Sequence, residues 1–287
     1  MNPPVVHPFH HAGTGTWSYV VADPLIGVAA LIDPVLDFDG ASARRSTTSA
    51  QRLLDCLQTR GYAVQWILET HAHADHVSAA PFLQQRTGAP IAIGSGIRRV
   101  QAHFASVFGF ERGYNADGAP FDRLFADGER FKLGSIEVEV LAVPGHTPDS
   151  VAYRIDDALF VGDSLFMPDS GTARCDFPGG DAATLYRSIR RLYELPDATR
   201  VFVCHDYGQG GREPRCETDI GTQRRTNIHV RDGVEEAQFV GQRQARDATL
   251  AVPALLLPAI QVNIRAGHFP EPDADGYVML QMPIDRV

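Results

Sequence analysis

Short apolar runs separated by turn-forming residues dominate the chain up to about residue 206, and they predict an α/β protein. Runs rich in β-branched and aromatic residues predict strands at 17–21, 28–33, 64–69, 90–93, 130–133, 136–143, 151–155, 158–161 and 200–203. Apolar residues at helical spacing predict helices at 50–60, 77–86, 97–108 and 185–195, with a polar loop at 36–47.

The order of these elements predicts how they are layered. Strands occur in an early and a late group, with helices between them. This order is typical of two half-sheets that pack together with helices outside. Residues 136–140 alternate apolar and charged side chains, so one face of that strand meets solvent.

The composition changes after residue 216. Residues 231–246 are rich in charge and predict an exposed helix, and the apolar run 254–264 gives way to a segment with Pro270 and Pro272. We therefore expect a main domain at 1–216 and an extension at 217–287 that packs on it or forms a subunit contact.

Composition and charge narrow the possible partners. The 287 residues are 44% hydrophobic and 21% charged, which is ordinary for a globular chain. The formal net charge of −9 argues against a nucleic-acid partner. The sequence has neither a basic run nor a long apolar run, so we expect no membrane partner. Four cysteines without a CxxC pair, and an N-terminus without a signal-peptide pattern, predict reduced thiols in the cytoplasm.

A cluster of potential metal ligands follows the predicted strand at 64–69. Residues 70–76 have the sequence Thr-His-Ala-His-Ala-Asp-His. His71 and His73 project to one side of an extended segment, whereas Asp75 and His76 lie where the chain turns and can reach a second point. Imidazole and carboxylate are the usual ligands of zinc and non-haem iron, so the motif predicts a metal site without selecting the metal.

Three more residues of these types each follow a predicted strand. They are His146, Asp163 and His205. If the strands are neighbours, their ends converge on one place. Each residue alone is more often structural than a ligand, but together with residues 70–76 they predict one metal centre.

The ordered set of seven residues resembles the ligands of the metallo-β-lactamase superfamily: His71, His73, Asp75, His76, His146, Asp163 and His205. The resemblance covers about residues 9–206 and implies an αββα sandwich with the site at one edge of the paired sheets. One metal position is implied for His71, His73, His146 and Asp163. A second is implied for Asp75, His76, His205 and a bridging Asp163. The THxHxDH motif together with Asp163 is closer to the glyoxalase II branch than to class B β-lactamases.

Two further segments resemble the persulfide dioxygenases, also called sulfur dioxygenases. They are residues 171–177, Gly-Thr-Ala-Arg-Cys-Asp-Phe, and residues 204–207, Cys-His-Asp-Tyr. The resemblance implies one Fe(II) per chain, with His71, His146 and Asp163 as its core ligands. The implied reaction oxidises glutathione persulfide with O2 to sulfite and glutathione. The segment 208–217 is longer here than in that family.

The same resemblance implies further roles around the metal. Asp75 and Tyr207 are the expected catalytic residues. The expected substrate-binding residues are Arg174, Asp176, Tyr207, Arg224 and Arg225, the last two from a basic segment at 221–227. Two histidines and one carboxylate leave coordination positions open, as non-haem Fe(II) oxygenases require.

The residues leave other activities open. Ligands for two metals are present, so a dinuclear thioester hydrolase of the glyoxalase II type (hydroxyacylglutathione hydrolase), with zinc, fits the same motifs. Such a hydrolase uses a metal-bound hydroxide as its nucleophile, and a metal-dependent lactonase needs the same hydroxide. The complete ligand set argues against a metal-stabilised binding protein without activity. Family analogy implies a homodimer formed through residues 217–287.

Overall fold

The fold was obtained as a computed structural model that describes residues 3–110 and 114–286. The strands, in chain order, are β1 (Val5–His11), β2 (Thr16–Asp23), β3 (Val28–Ile32), β4 (Val35–Asp39), β5 (Arg44–Ser46), β6 (Ala63–Leu68), β7 (Val77–Ser78), β8 (Ile91–Gly94), β9 (Arg123–Phe125), β10 (Arg130–Leu133), β11 (Ile136–Ala142), β12 (Val151–Ile155), β13 (Ala158–Phe160), β14 (Arg200–Phe202) and β15 (Glu217–Asp219). The helices are α1 (Thr48–Arg60), α2 (Ala80–Thr87), α3 (Ile97–Phe108), α4 (Ala182–Leu192), α5 (Ile220–Thr226), α6 (Glu236–Asp247) and α7 (Leu256–Asn263), with a short 3₁₀ turn at Gln209–Gly211.

Two six-stranded sheets form the centre of the αββα sandwich. The first has the order β1-β2-β3-β6-β8-β9 and the second β10-β11-β12-β13-β14-β15. In the first sheet β3, β6, β8 and β9 run parallel, and in the second β13 and β14 run parallel. The carboxyl ends of these parallel strands are therefore the places where loops can converge.

The alternation of side chains along each strand builds three apolar layers. On β2, Tyr19 and Val21 lie in the cluster between the sheets, whereas Val20 and Ala22 lie in the cluster under α1, α2 and α3. On the far face of the second sheet, Leu185 of α4 packs among buried side chains of β12 and β13. The layering expected from the order of elements is confirmed.

Some predicted elements differ from the structure. The predicted loop at 36–47 contains β4 and β5, which pair antiparallel. The sequence of this hairpin shows no apolar pattern, because the side chains of β5 are exposed. The strand is held by main-chain hydrogen bonds to β4. The predicted helix at 77–86 begins only at Ala80, because residues 77–78 pair with β4. Both β1 and β15 are additional strands that the apolar pattern did not predict.

The C-terminal segment joins the main fold at several points. β15 begins at Glu217 and pairs with β14, so the second sheet continues past the predicted boundary at 216. Tyr186 on α4 donates its hydroxyl to the carbonyl of Val234 at 2.7 Å, just before α6. None of the helices in the described ranges has the length and apolar character needed to cross a bilayer.

Asn263, at the end of α7, ties this segment to the histidine-rich loop. Its amide nitrogen donates to the carbonyls of His73 and His76 at 2.8 and 2.7 Å. Its amide oxygen accepts the backbone N–H of Ser78 at 2.9 Å. The side chain is buried, so one carboxamide satisfies three main-chain groups that water does not reach.

Replacing Asn263 with alanine should lower the free energy of unfolding by about 2–4 kcal/mol, because three buried main-chain groups lose their partner. Urea denaturation followed by circular dichroism measures this change. Asn115→Ala is the matched control, because Asn115 is exposed and its recorded hydrogen bond reaches only to Asp117. Equal losses for the two variants would contradict the role given to Asn263.

Candidate metal centre

The seven potential ligands lie on loops that follow strands. His71, His73, Asp75 and His76 follow β6, whereas His146, Asp163 and His205 follow β11, β13 and β14. The two packed sheets bring these loops together at one edge. Six of the seven side chains are buried there, and Asp75 is partly exposed.

The ligands form two neighbouring groups. One group consists of His71, His146 and Asp163, and the other of His73, Asp75, His76 and His205. Asp163 lies between the groups. Its Oδ2 is 4.0 Å from His71 Nε2 and 3.6 Å from His146 Nε2, whereas its Oδ1 is 3.4 Å from His205 Nε2. These separations suit donor atoms that share one or two cations.

Donor atoms at this edge are buried without hydrogen-bond partners. Within residues 3–110 and 114–286, the buried side-chain atoms that lack a partner include His71 Nε2, His73 Nδ1, His76 Nε2, Asp163 Oδ1 and His205 Nε2. Buried polar atoms without partners are costly and therefore rare. Several in one place, all of types that ligate metals, fit a bound cation.

The opposite ring nitrogens are anchored, so the free nitrogens are held in place. His146 Nδ1 donates to the carbonyl of Arg174 at 2.7 Å, which leaves Nε2 as the unprotonated ligand atom. His71 Nδ1 lies 3.1 Å from the Thr70 hydroxyl. Such anchoring fixes the tautomer and orientation of ligand imidazoles.

His73 is anchored by two buried carboxylates. Its Nε2 lies 3.0 Å from Asp33 and 3.4 Å from Glu69. Although burial works against it, Asp33 and Glu69 raise the pKa of His73 well above its ordinary value. The ring is therefore protonated when no cation is bound, and metal binding at Nδ1 would release that proton.

The other groups favour the forms that ligate metals. Burial, with His73 and His146 nearby, lowers the pKa of His71 well below its ordinary value, so the ring is neutral. Burial raises the pKa of Asp75, but His205 and His76 outweigh it and hold the pKa well below its usual range. Neutral imidazole beside ionised carboxylate is the donor chemistry that zinc and iron prefer.

A cavity of about 490 Å³ opens beside the ligands. Of the seven ligands, Asp75, His146 and Asp163 line this cavity. Phe177 stands edge-on to His146, with ring centres 5.3 Å apart, and Tyr207 stacks parallel to His205 at 6.0 Å. Aromatic walls of this kind hold an organic substrate and limit water near the ligands.

The structure places the expected substrate residues unequally. Arg174 and Tyr207 line the cavity. Asp176 lies behind Arg174 and takes up its guanidinium in a two-point ion pair of 2.6 and 2.7 Å. The remaining guanidinium nitrogen of Arg174, Nη1, donates to the carbonyl of Ala251 at 2.7 Å. Arg174 therefore forms part of the cavity wall, and its charge is already paired with Asp176.

Arg224 and Arg225 lie outside the residues that line this cavity. Arg224 donates to Asp232 at 3.0 Å and to Asp197 at 2.9 Å, on the surface around α5. Arg225 is exposed on the same helix. Neither residue lines the cavity, because α5 continues the edge of the second sheet and turns both side chains away from the ligands.

Two arginines on α6 line the cavity, although no motif in the sequence singles them out. Arg243 is buried and pairs with Asp247 at 2.7 Å. Arg246 is exposed to the cavity and, in the described residues, forms no ion pair; its recorded bond is a 3.5 Å contact with the Thr249 hydroxyl. Helical spacing shows that the two share a face, but only the fold shows that the face meets the metal ligands.

Three buried acidic residues that contact the histidine loop were not predicted from the sequence: Asp33, Glu69 and Asp149. Asp149 is buried and accepts the N–H of Ala72 at 2.7 Å, inside the histidine loop. Asp33 accepts the N–H of Thr70 at 2.7 Å. Single acidic residues near turns carry no pattern, although an Asp directly after an apolar strand, as at Asp33, is a usable signal.

Comparison with known proteins gives one family. The profile of the Metallo-beta-lactamase superfamily matches residues 12–205. A "Probable metallo-hydrolase" of Burkholderia pseudomallei is 47% identical, covering 98% of this chain and 99% of the relative. A "Beta-lactamase hydrolase-like protein" of Agrobacterium fabrum is 50% identical over 94% of this chain, which spans 63% of that relative's length. "Glyoxylase B2" of Dictyostelium discoideum is 42% identical over 99% of this chain and 98% of its own.

More distant relatives carry two kinds of name. The "Hydroxyacylglutathione hydrolase" of Methylococcus capsulatus is 30% identical over 85% of this chain and 80% of its own length. The mitochondrial "Persulfide dioxygenase ETHE1" of Bos taurus is 27% identical over 86% of this chain and 85% of its own.

Solved structures agree with the fold. ETHE1 from Myxococcus xanthus is 28% identical, with a TM-score of 0.74 over 92% of this chain and all of its own (100%). The protein TTHA1623, solved in a di-iron-bound form, is 27% identical, with a TM-score of 0.56 over 77% of this chain and 98% of its own.

Because Asp163 faces both groups, Asp163→Ala should reduce bound metal more than loss of a ligand from one group does. Elemental analysis of protein purified without oxygen measures metal per chain for the wild type, Asp163→Ala and His76→Ala. Asp169→Ala is the control, since Asp169 is a partly exposed aspartate that pairs with Arg212. Full metal content in Asp163→Ala would contradict the shared position.

Proposed function

The chain belongs to the metallo-β-lactamase superfamily, and on that basis we propose that it is an iron-dependent persulfide dioxygenase for glutathione persulfide. In the proposed reaction O2 and one water convert the outer sulfur to sulfite, with two oxygens from O2 and the third from water, and glutathione is released as a thiol. The observation that carries the proposal is the group of His71, His146 and Asp163. Two imidazoles and one carboxylate on one side of a cation leave positions free for two further ligands.

The proposed iron ligands are His71, His146 and Asp163, with His73 next to them. Iron bound there supplies the electron transfer that O2 chemistry requires. The chain supplies position: the ring of His146 is held through its Nδ1, which donates to the Arg174 carbonyl, and Asp163 lies between both groups. A cation held by ligands fixed in this way would keep two reactants side by side next to the cavity.

The cavity wall orients the organic part of the substrate. Phe177 and Tyr207 supply apolar faces near the ligands, and Tyr207 is 62% exposed, so its hydroxyl is available to substrate. Gly15 makes this position possible, because a Cβ there would lie 2.6 Å from the Tyr207 ring. We propose that Tyr207 contacts the substrate and that Asp75, which faces the cavity, aids proton movement there.

One part of the cavity wall suits a carboxylate. Arg174 and Arg243 have their charges paired within the protein, whereas Arg246 has no carboxylate partner among the described residues. A glutathione-type substrate carries carboxylates that this guanidinium can bind. We therefore propose Arg246 as a substrate-binding residue, in the place that the sequence assigned to Arg224 and Arg225.

A dinuclear thioester hydrolase of the glyoxalase II type is the second candidate. The second ligand group is complete, and Asp163 Oδ1 is directed towards it. Two metals generate a hydroxide nucleophile at neutral pH. Relatives named as hydrolases support this candidate as much as those named as dioxygenases support the first. The lactonase, the division into a domain at 1–216 and an extension at 217–287 packed on it, the homodimer and the cytoplasmic location stay predictions.

Oxygen consumption separates the two candidates. The Fe(II)-loaded protein should consume O2 with glutathione persulfide, and the Zn(II)-loaded protein should not. His76→Ala should keep one iron and O2 uptake, because His76 belongs to the second group, whereas His146→Ala should lose both. Turnover of S-lactoylglutathione that requires two metals and disappears in His76→Ala, without O2 uptake, would establish the hydrolase instead.

Arg246→Gln should raise KM for glutathione persulfide roughly tenfold, because a charge-assisted hydrogen bond to a substrate carboxylate is lost. Steady-state O2 uptake gives KM and kcat, and kcat should change little. Arg99→Gln is the matched control, because Arg99 is an exposed helical arginine outside the cavity. An unchanged KM in Arg246→Gln would remove Arg246 from the proposal.

A further inference from the structure

His229 presents a nitrogen with a fixed hydrogen-bonding role. Its Nδ1 lies 3.0 Å from the backbone N–H of Thr172. A backbone N–H can only donate, so Nδ1 must accept, and the proton of the neutral ring is on Nε2. Burial, aided by Arg243 and Arg246, lowers the pKa of His229 to about 4, so the ring is neutral near pH 7.

The protein holds this ring from several sides. Gly171 leaves room for it, because a Cβ there would lie 2.1 Å from His229 Nδ1. The buried Asn227 accepts the backbone N–H of His229 at 2.9 Å and donates to the carbonyl of Gly171 at 3.1 Å. The ring and the backbone it faces are therefore fixed relative to each other.

The ring lies in the cavity wall, near the proposed iron ligands. His229 lines the cavity together with His146 and Asp163. The segment that holds His229 at Thr172 also holds His146 at the carbonyl of Arg174. The two anchoring points are the N–H of Thr172 and the carbonyl of Arg174, and three residues of chain span at most about 10 Å, so they are within the length of a small substrate.

The Nε2–H of His229 is a donor without a use inside the protein. In the described residues, the hydrogen bonds of this ring involve Nδ1 alone. His229 Nε2 has no partner within residues 3–110 and 114–286 and is not one of the fully buried unpaired atoms there, so a ligand can reach it. A neutral donor in a cavity wall suits an uncharged or anionic oxygen acceptor on a ligand.

We propose that His229 donates its Nε2–H to an oxygen of the bound substrate and so helps to select thiol derivatives that carry amide or carboxylate groups. The assignment rests on the proposed function only in taking a glutathione-type molecule as the ligand. It makes His229 a substrate contact that acts by position and hydrogen bonding, with no proton transfer.

Two substitutions separate a substrate contact from a purely structural role. His229→Asn places an amide oxygen where Nδ1 accepts from Thr172 but removes the donor at Nε2. His229→Gln places an amide N–H near Nε2 but loses the acceptor for Thr172. Isothermal titration of each purified protein with glutathione measures binding without any turnover, and thermal unfolding checks the fold of each variant.

The proposal expects His229→Asn to bind glutathione about three- to tenfold more weakly, as loss of one hydrogen bond predicts, with His229→Gln close to the wild type. His103→Asn, on the exposed face of α3, is the control and should bind normally. Normal binding by His229→Asn, or equal weakening in both His229 variants, would overturn the proposal, because the donor at Nε2 would then have no separate effect.

The same titration keeps this inference apart from the proposed function. If the wild type and variants show the expected binding pattern but the iron-loaded enzyme consumes no O2 with glutathione persulfide, the dioxygenase fails and the role of His229 stands. If the wild type does not bind glutathione at all, the role of His229 fails whatever the activity.

Discussion

Burial of unpaired donor atoms at the edge of the two sheets is the constraint on which the rest of the structure depends. Nitrogen and oxygen lone pairs from separate strand ends point into one small space, away from solvent. In a region of low dielectric constant this arrangement is unfavourable until a cation joins them. The fold must therefore hold these groups against their tendency to separate, and it does so through rigid strands on both sides.

Much of the surrounding polar structure serves that purpose. Asp33 and Asp149 hold the backbone of the histidine loop from the two sheets, through Thr70 and Ala72. Asn263 holds the same loop from the C-terminal segment. Because these anchors come from distant parts of the chain, the loop is fixed from three directions. The segment after residue 216 is consequently part of the site, through Asn263 and through the cavity wall on α6.

The fold class and the cluster of candidate metal ligands could be predicted from the sequence for a physical reason. Strands that pack between layers need apolar runs, and metal ligands need His and Asp, so both leave a strong pattern at 64–76. The cavity wall leaves none. Arg246 and Arg225 are both exposed arginines on C-terminal helices, and only the path of the chain decides which one lines the cavity beside the ligands. The hairpin of β4 and β5 was not predicted for a similar reason, since main-chain hydrogen bonds hold it together and its exposed side chains show no apolar pattern.

The two ligand groups differ in what they leave open, and this difference bears on the chemistry. The group with His73 has four donors, and the group with His71 has three and adjoins the cavity through His146 and Asp163. A cation with fewer protein donors has more positions for exogenous ligands. Asp33 and Glu69, close behind His73, add negative charge that favours a cation on that side as well. Occupancy of the second group is therefore what divides an oxygenase, which needs free positions on one metal, from a hydrolase, which needs two metals to share a hydroxide.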